Sequence, residues 1–135
     1  MVPTTDGSSR SRALGVFIAD DSVTIRERLV ELLGTLDGVT IVGQAEDVPS
    51  AQVGIQKTNP DVAIVDIKMP GGTGIDVLRH VKRGQPGGPS FIMYTAFGTP
   101  QYRKACADAG ADFFFDKATD TRTLADAIRM LASRR

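Results

Sequence analysis

The sequence has little of what an extracellular or membrane protein would need. Its one cysteine, Cys106, excludes an internal disulfide, and its small apolar neighbours at helical spacing predict a buried structural thiol. No apolar run is long enough to span a membrane, and residues 1–12 lack the apolar segment of a signal peptide. We therefore predict a cytoplasmic protein in which residues 1–12 form a disordered leader.

An excess of charge of one sign is also lacking. Sixteen Lys and Arg residues balance sixteen Asp and Glu residues, so the formal net charge is zero. Nucleic-acid-binding domains are usually basic, and this balance argues against direct contact with nucleic acid. The 135 residues, 41% of them hydrophobic, are enough for one domain with its own core, which we place at residues 13–135.

What the sequence does contain is a repeated alternation of short apolar runs and amphipathic stretches. Five strand–helix repeats predict an α/β fold of the flavodoxin-like, doubly wound (βα)5 type, with a five-stranded parallel sheet in the order 2-1-3-4-5. The strands are predicted at Leu14–Ala19, Val39–Ala45, Val62–Asp66, Phe91–Thr95 and Ala111–Phe115. The helices are predicted from the N-cap Ser22 to Leu36 and at about Pro49–Thr58, Thr73–Arg83, Pro100–Ala109 and Thr121–Ser133.

Acidic and polar residues stand at the ends of the strands that border one crevice. Asp20 and Asp21 follow the first strand and Asp66 ends the third, so three carboxylates should meet where the strand order reverses. Such a cluster needs a cation, and hard oxygen ligands suit Mg²⁺, with Mn²⁺ as an alternative ion. Thr95 and Lys117 add a hydroxyl and an ammonium group. Together these groups indicate phosphoryl transfer, with Asp66 as the nucleophile that becomes an aspartyl phosphate.

From Leu14 to the C-terminus the chain resembles the receiver domain of two-component response regulators. The residues that carry the resemblance are Asp20-Asp21, Asp66, Met69-Pro70-Gly71, Thr95-Ala96 and Lys117. It implies that Asp66 accepts a phosphoryl group from a histidine kinase or a histidine phosphotransfer protein. It also implies that Asp21 binds Mg²⁺ directly, that Asp20 binds it largely through water, and that the backbone carbonyl of Lys68 is a further ligand.

The resemblance also implies a switch. The hydroxyl of Thr95 would move toward the phosphoryl group, and the aromatic Phe114 would move inward behind it. The face formed by helix 4, strand 5 and helix 5 would then control an unidentified downstream protein, with the chain acting as a monomer or as a phosphorylation-dependent homodimer. Alternation along the strand sends Phe113 and Phe115 to one face of the sheet and Phe114 to the other.

Access to the site is expected to depend on Lys68, Ala96 and Phe97. In the family the positions of Lys68 and Phe97 influence how fast the phosphoryl group is lost, and Phe97 is bulky and apolar. We hypothesise that Phe97 limits the access of water and lengthens the phosphorylated lifetime. Lys117 is followed by Ala118 where many receivers have proline, so a cis peptide is not expected here by default.

An alternative is a Mg²⁺-dependent phosphohydrolase with an aspartyl-phosphate intermediate. Such enzymes place the nucleophile in an Asp-x-Asp pattern after the first strand, whereas here Asp20-Asp21 is followed by Ser22 and the best nucleophile is Asp66. A flavin binder would need a phosphate-cradling loop at the acidic pair, and a metal-only module would leave Lys117 without a role. We predict a signalling protein that catalyses only its own phosphorylation and dephosphorylation.

Overall fold

The structure of the protein is a computed structural model that describes residues 12–84 and 87–134. Arg12 is the single residue of the predicted leader within this range, and residues 1–11 of the leader lie outside it. The segment from position 84 to position 89 is rich in glycine and proline and predicts a surface loop. Positions 85 and 86 of this segment also lie outside the described residues, as does Arg135. Within the described part of the chain, no helix is both long and apolar enough to cross a membrane.

Five parallel strands form one sheet. The strands are β1 (Leu14–Ala19), β2 (Val39–Ala45), β3 (Val62–Val65), β4 (Ser90–Thr95) and β5 (Phe113–Asp116). They pair in the order β2-β1-β3-β4-β5, which confirms the predicted doubly wound fold. The prediction that the fifth strand begins at Ala111 was wrong, because the amide of Ala111 still donates to the carbonyl of Cys106 at the end of the preceding helix.

A helix follows each strand. The helices are α1 (Val23–Gly34), α2 (Val48–Thr58), α3 (Gly74–Gly84), α4 (Pro100–Ala109) and α5 (Thr121–Ser133). The side chain of Ser22 accepts a hydrogen bond from the amide of Ile25, which confirms Ser22 as the N-cap of α1. Helix α1 ends two residues before the predicted Leu36, in a tight turn where the amide of Leu36 donates to the carbonyl of Leu33.

The sheet separates two apolar clusters. Phe17, Phe91 and Met93 pack on the side of α2, α3 and α4, together with the fully buried Cys106. Burial raises the pKa of the Cys106 thiol to about 11, as expected of a structural thiol. On the side of α1 and α5, Phe113 and Phe115 stack with their ring centroids 5.8 Å apart. Phe114 packs on the opposite side, as the alternation along the strand predicts.

A short hairpin lies between β3 and α3. Lys68–Met69 pairs antiparallel with Gly72–Thr73 through the turn at Pro70 and Gly71. The residue types of Pro70-Gly71-Gly72 predict a loop but not the two short strands beside it. Gly71 has a φ of 88°, a conformation that favours glycine. The carbonyl of Pro70 accepts a hydrogen bond from the amide of Val48, so the hairpin is joined to the start of α2. This arrangement fixes the position of the segment that directly follows Asp66.

Candidate functional site

Three carboxylates meet at the carboxyl ends of β1 and β3. One oxygen from each of Asp20, Asp21 and Asp66 lies within 4.8 Å of the others. Asp20 and Asp66 are only 2% and 5% exposed, whereas Asp21 is exposed. The amide of Asp66 donates to the carbonyl of Ala19 at 3.0 Å, so the backbone pairing of β1 with β3 brings the acids together. The structure therefore places the three acids where the sequence led us to expect them.

The loop that carries Asp20 is held by three hydrogen bonds. Its amide donates to the carbonyl of Ala45 at 3.0 Å, and its carboxylate accepts from the amide of Ser22 at 2.9 Å. Its carbonyl accepts from Nη1 of Arg26 at 2.7 Å. The helical pattern of α1 predicts that Arg26 faces water, but the side chain turns back over the loop and is only half-exposed. Arg26 is thus a site-positioning residue that sequence periodicity misses.

Lys117 joins the two buried carboxylates. Its Nζ lies 2.6 Å from Oδ2 of Asp20 and 2.8 Å from Oδ2 of Asp66, and its side chain is 15% exposed. Burial acts to lower the pKa of Lys117, but the hydrogen bonds and charges of the two aspartates raise it overall. Burial raises the pKa of Asp20, and the bonds from Lys117 and Ser22 offset only part of this effect. One ammonium group therefore sits among three carboxylates.

The donor set of this cluster fits a small divalent cation. A single ammonium group does not neutralise three carboxylates, and carboxylate oxygens are the ligands that Mg²⁺ prefers. Asp21 is the exposed member of the cluster, so the cluster is open to solvent on the side of Asp21. Further oxygen ligands, including water, can therefore approach a bound ion from that side.

The raised pKa of Asp20 predicts a pH-dependent gain in stability for Asp20→Asn. A carboxyl group whose folded pKa is raised stabilises the fold below its unfolded pKa, and this contribution is lost as pH rises through the folded pKa. Without Mg²⁺, Asp20→Asn should therefore gain stability relative to the parent only above about pH 4. We expect the gain to be present at pH 7, because the variant avoids the cost of burying a charged carboxylate, and this cost outweighs one lost ion pair.

Urea unfolding at pH 3.5 and pH 7, with and without Mg²⁺, measures this effect. Asp37→Asn is the matched control, because Asp37 is exposed and lies beyond the other end of α1. Added Mg²⁺ should stabilise the parent and the control but have little effect on Asp20→Asn. An equal gain at both pH values would contradict the prediction.

Thr95 ends β4 and is fully buried. Its hydroxyl accepts a hydrogen bond from the amide of Phe97 at 3.1 Å, so it is engaged by its own loop. Ala96 and Phe97 are exposed, and the Phe97 ring centroid lies 4.9 Å from Nζ of Lys68. This cation–π contact joins the hairpin to the loop between β4 and α4. Two of the three access residues therefore contact each other beside the acidic cluster.

Phe114 lies within β5, and Lys117 directly follows the last residue of that strand. Phe114 is half-buried, and its ring centroid lies 4.5 Å from Cζ of Arg103 on α4. The sequence gives no signal for this contact, because Arg103 resembles any other exposed cation of a helix. The amide of Lys117 donates to the carbonyl of Thr95 at 3.0 Å, and the Lys117–Ala118 peptide is trans. Thr95, Lys117 and the three acids therefore share one crevice, and Phe114 lies next to it.

Comparisons with known proteins agree with this arrangement. A family model described as the response regulator receiver domain matches residues 16–129. The transcriptional regulatory protein DesR of Bacillus subtilis is 33% identical over 116 residues, which cover 86% of this chain and 57% of DesR, so the chain spans just over half of that relative.

Solved structures agree as well. The signal receiver domain of the putative response regulator NarL from Mycobacterium tuberculosis is 30% identical with a TM-score of 0.82, over 92% of this chain and 99% of that one. CheY in the CheX–CheY–BeF₃–Mg²⁺ complex of Borrelia burgdorferi is 27% identical with a TM-score of 0.80, over 89% of this chain and 90% of that one.

Proposed function

The chain belongs to the receiver-domain family of two-component response regulators, and on that premise we propose that Asp66 accepts the phosphoryl group. The observation that carries this assignment is the buried carboxylate of Asp66, 2.8 Å from the ammonium of Lys117 and within the acidic cluster. A carboxylate oxygen of Asp66 attacks the phosphorus in line, and the bond from phosphorus to the leaving group of the donor breaks. The product is an aspartyl phosphate.

The other residues of the crevice support this step. Asp20, Asp21, Asp66 and the backbone carbonyl of Lys68 would hold Mg²⁺, which when bound supplies positive charge to the transferring oxygens. Lys117 already donates to Asp66 and supplies a second positive charge to the phosphoryl oxygens. The Thr95 hydroxyl can turn from the amide of Phe97 and donate to the phosphoryl group. The similar structure of CheY in complex with CheX, BeF₃ and Mg²⁺ supports this assignment.

The phosphorylated state would act through a surface. Movement of Thr95 and Phe114 changes the face formed by α4, β5 and α5. For a nearly complete switch, phosphorylation must stabilise the active conformation over the resting one by about 5 kcal/mol. The donor is a histidine kinase or a histidine phosphotransfer protein, and the downstream partner is an unidentified protein. We place the receiver domain at residues 13–135 in the cytoplasm, as a monomer or a phosphorylation-dependent homodimer without direct nucleic-acid or membrane contact.

The phosphohydrolase alternative has less support. Its nucleophile would follow β1 in an Asp-x-Asp pattern, whereas here Asp20-Asp21 is followed by Ser22. The family match is to receiver domains, which act as signalling switches. The activity we propose is limited to phosphorylation and dephosphorylation of the chain itself.

Chemical trapping tests the proposed function. The protein is incubated with acetyl phosphate and Mg²⁺, then reduced with borohydride, which converts an aspartyl phosphate to homoserine. Peptide mass mapping should place the homoserine at position 66. Release of free phosphate with turnover and no trapped residue would favour the hydrolase, and homoserine at another position would refute Asp66 as the acceptor.

Phe97→Ala should shorten the phosphorylated lifetime. The exposed ring of Phe97 contacts Lys68 beside the acidic cluster, and its removal would open a path for water to the phosphoryl group. We expect dephosphorylation to become a few-fold faster, as measured by the decay of the phosphorylated mass after the donor is removed. Val53→Ala, which truncates an exposed side chain on α2, is the control. An unchanged decay rate in Phe97→Ala would contradict the hypothesis.

A further inference from the structure

Arg103 contacts the aromatic side chain that the proposed switch would move and the loop that follows Thr95. Its guanidinium lies over the ring of Phe114, with Cζ 4.5 Å from the centroid. Its Nε donates a long hydrogen bond of 3.4 Å to the carbonyl of Gly98, in the loop that follows Thr95. Arg103 belongs to α4, whose N-cap Thr99 accepts from the amide of Tyr102. One exposed cation therefore links the α4 helix, the loop and the aromatic side chain.

Gly98 has no side chain, and this allows Phe114, Arg103 and Asp116 to lie close to it. A Cβ atom at position 98 would lie 3.7 Å from Cε1 of Phe114, 3.7 Å from an Nη atom of Arg103 and 3.3 Å from Oδ2 of Asp116. The ring, the guanidinium and a carboxylate thus converge on a position that has no side chain. The carboxylate of Asp116 favours a cation at this place. The position of Arg103 over Phe114 is therefore supported by charge as well as by the ring.

We infer that Arg103 is a positioning residue that holds Phe114 in its resting place and so opposes the switch. The inference rests on the proposed function, in which Phe114 moves inward when Asp66 is phosphorylated. The guanidinium of Arg103 is held by the carbonyl of Gly98, so we expect the ring to leave it when the ring moves inward. An interaction made only in the resting state lowers the fraction of molecules in the other state and weakens the apparent affinity of any ligand that selects it.

Titration with beryllium fluoride at saturating Mg²⁺, followed by backbone amide NMR, tests the inference. Loss of one cation–π contact corresponds to a two- to fivefold change in the equilibrium. We therefore expect Arg103→Ala to reach half-conversion at a beryllium fluoride concentration about two- to fivefold lower than the parent requires. Lys104→Ala is the matched control, because Lys104 is the next cation on α4 and pairs with Asp108. It should titrate like the parent.

A double-mutant cycle separates an effect through the ring from any other effect. In the Phe114→Leu background the aromatic face is absent, so adding Arg103→Ala should leave the half-conversion concentration unchanged. The same fold-change in both backgrounds would overturn the inference, as would an unchanged or weaker affinity in Arg103→Ala alone. Failure of the parent protein to bind beryllium fluoride would instead refute the proposed function and the inference with it.

Discussion

Asp66→Asn is expected to abolish incorporation of a phosphoryl group from acetyl phosphate in the presence of Mg²⁺. Asparagine has nearly the shape of aspartate, and its carbonyl oxygen can still accept the hydrogen bond that the amide of Ile67 donates to Asp66. It lacks the anionic oxygen that attacks phosphorus. The intact mass of the parent should rise by one phosphoryl group, whereas the mass of Asp66→Asn should not change over the same period.

The loss should not come from unfolding. Asp66→Asn removes one of three clustered carboxylates, and Lys117 keeps its 2.6 Å ion pair with Asp20. We therefore expect urea unfolding of Asp66→Asn without Mg²⁺ to show a stability equal to or above that of the parent. Asp108→Asn is the control and should be phosphorylated like the parent, because Asp108 is exposed and lies in the last turn of α4, at the opposite end of that helix from the loop after Thr95. Phosphorylation of Asp66→Asn at the parental rate would exclude Asp66 as the acceptor.

The sheet and its crevice could be predicted because both depend on regular backbone geometry. Continuous apolar runs identify buried parallel strands, and the carboxyl ends of parallel strands lie at one edge of the sheet. Residues at the ends of β1, β3, β4 and β5, or directly after them, must therefore approach one another. This is why Asp20, Asp66, Thr95 and Lys117 could be placed together, although 97 positions separate the first from the last in the sequence.

What the sequence could not show depends on short elements and long side chains. The strands Lys68–Met69 and Gly72–Thr73 have two residues each, too few for a period to appear. Arg26 and Arg103 each donate a hydrogen bond to a backbone carbonyl in the loop before their own helix. Arg26 donates to Asp20 and Arg103 to Gly98. No spacing rule encodes such contacts, because a long flexible cation can reach many acceptors around its helix.

Gly74 shows how closely the start of α3 packs against the proposed phosphoacceptor. Its amide donates to the carbonyl of Ile67 at 2.8 Å and so closes the segment that contains the hairpin. A Cβ atom at this position would overlap the carbonyl oxygen of Asp66 and lie 2.8 Å from Cγ1 of Val65. The overlap is with backbone, which cannot move aside as the end of a flexible side chain can. The absence of a side chain at position 74 therefore lets α3 approach the end of β3.

Gly74→Ala should consequently damage both stability and chemistry. Overpacking in a well-packed region costs about 1–3 kcal/mol and more when backbone must shift, so we expect a loss of about 3 kcal/mol in the free energy of unfolding. A displacement of Asp66 by about 1 Å can slow a reaction by about 100-fold. Phosphorylation from acetyl phosphate should therefore slow sharply even at temperatures where the variant is folded.

Gly84→Ala provides the matched control at the other end of the same helix. Among the described residues, a Cβ atom on Gly84 would have no neighbour within 4 Å, and alanine is the better helix former by about 1 kcal/mol. We expect Gly84→Ala to leave the phosphorylation rate unchanged and to keep or slightly raise the urea midpoint. If the two alanine variants share one midpoint and one rate, close packing of α3 on the Asp66 backbone does not position the acceptor. If only Gly74→Ala is impaired, the geometry of the phosphoacceptor depends on the helix that follows it as well as on the sheet.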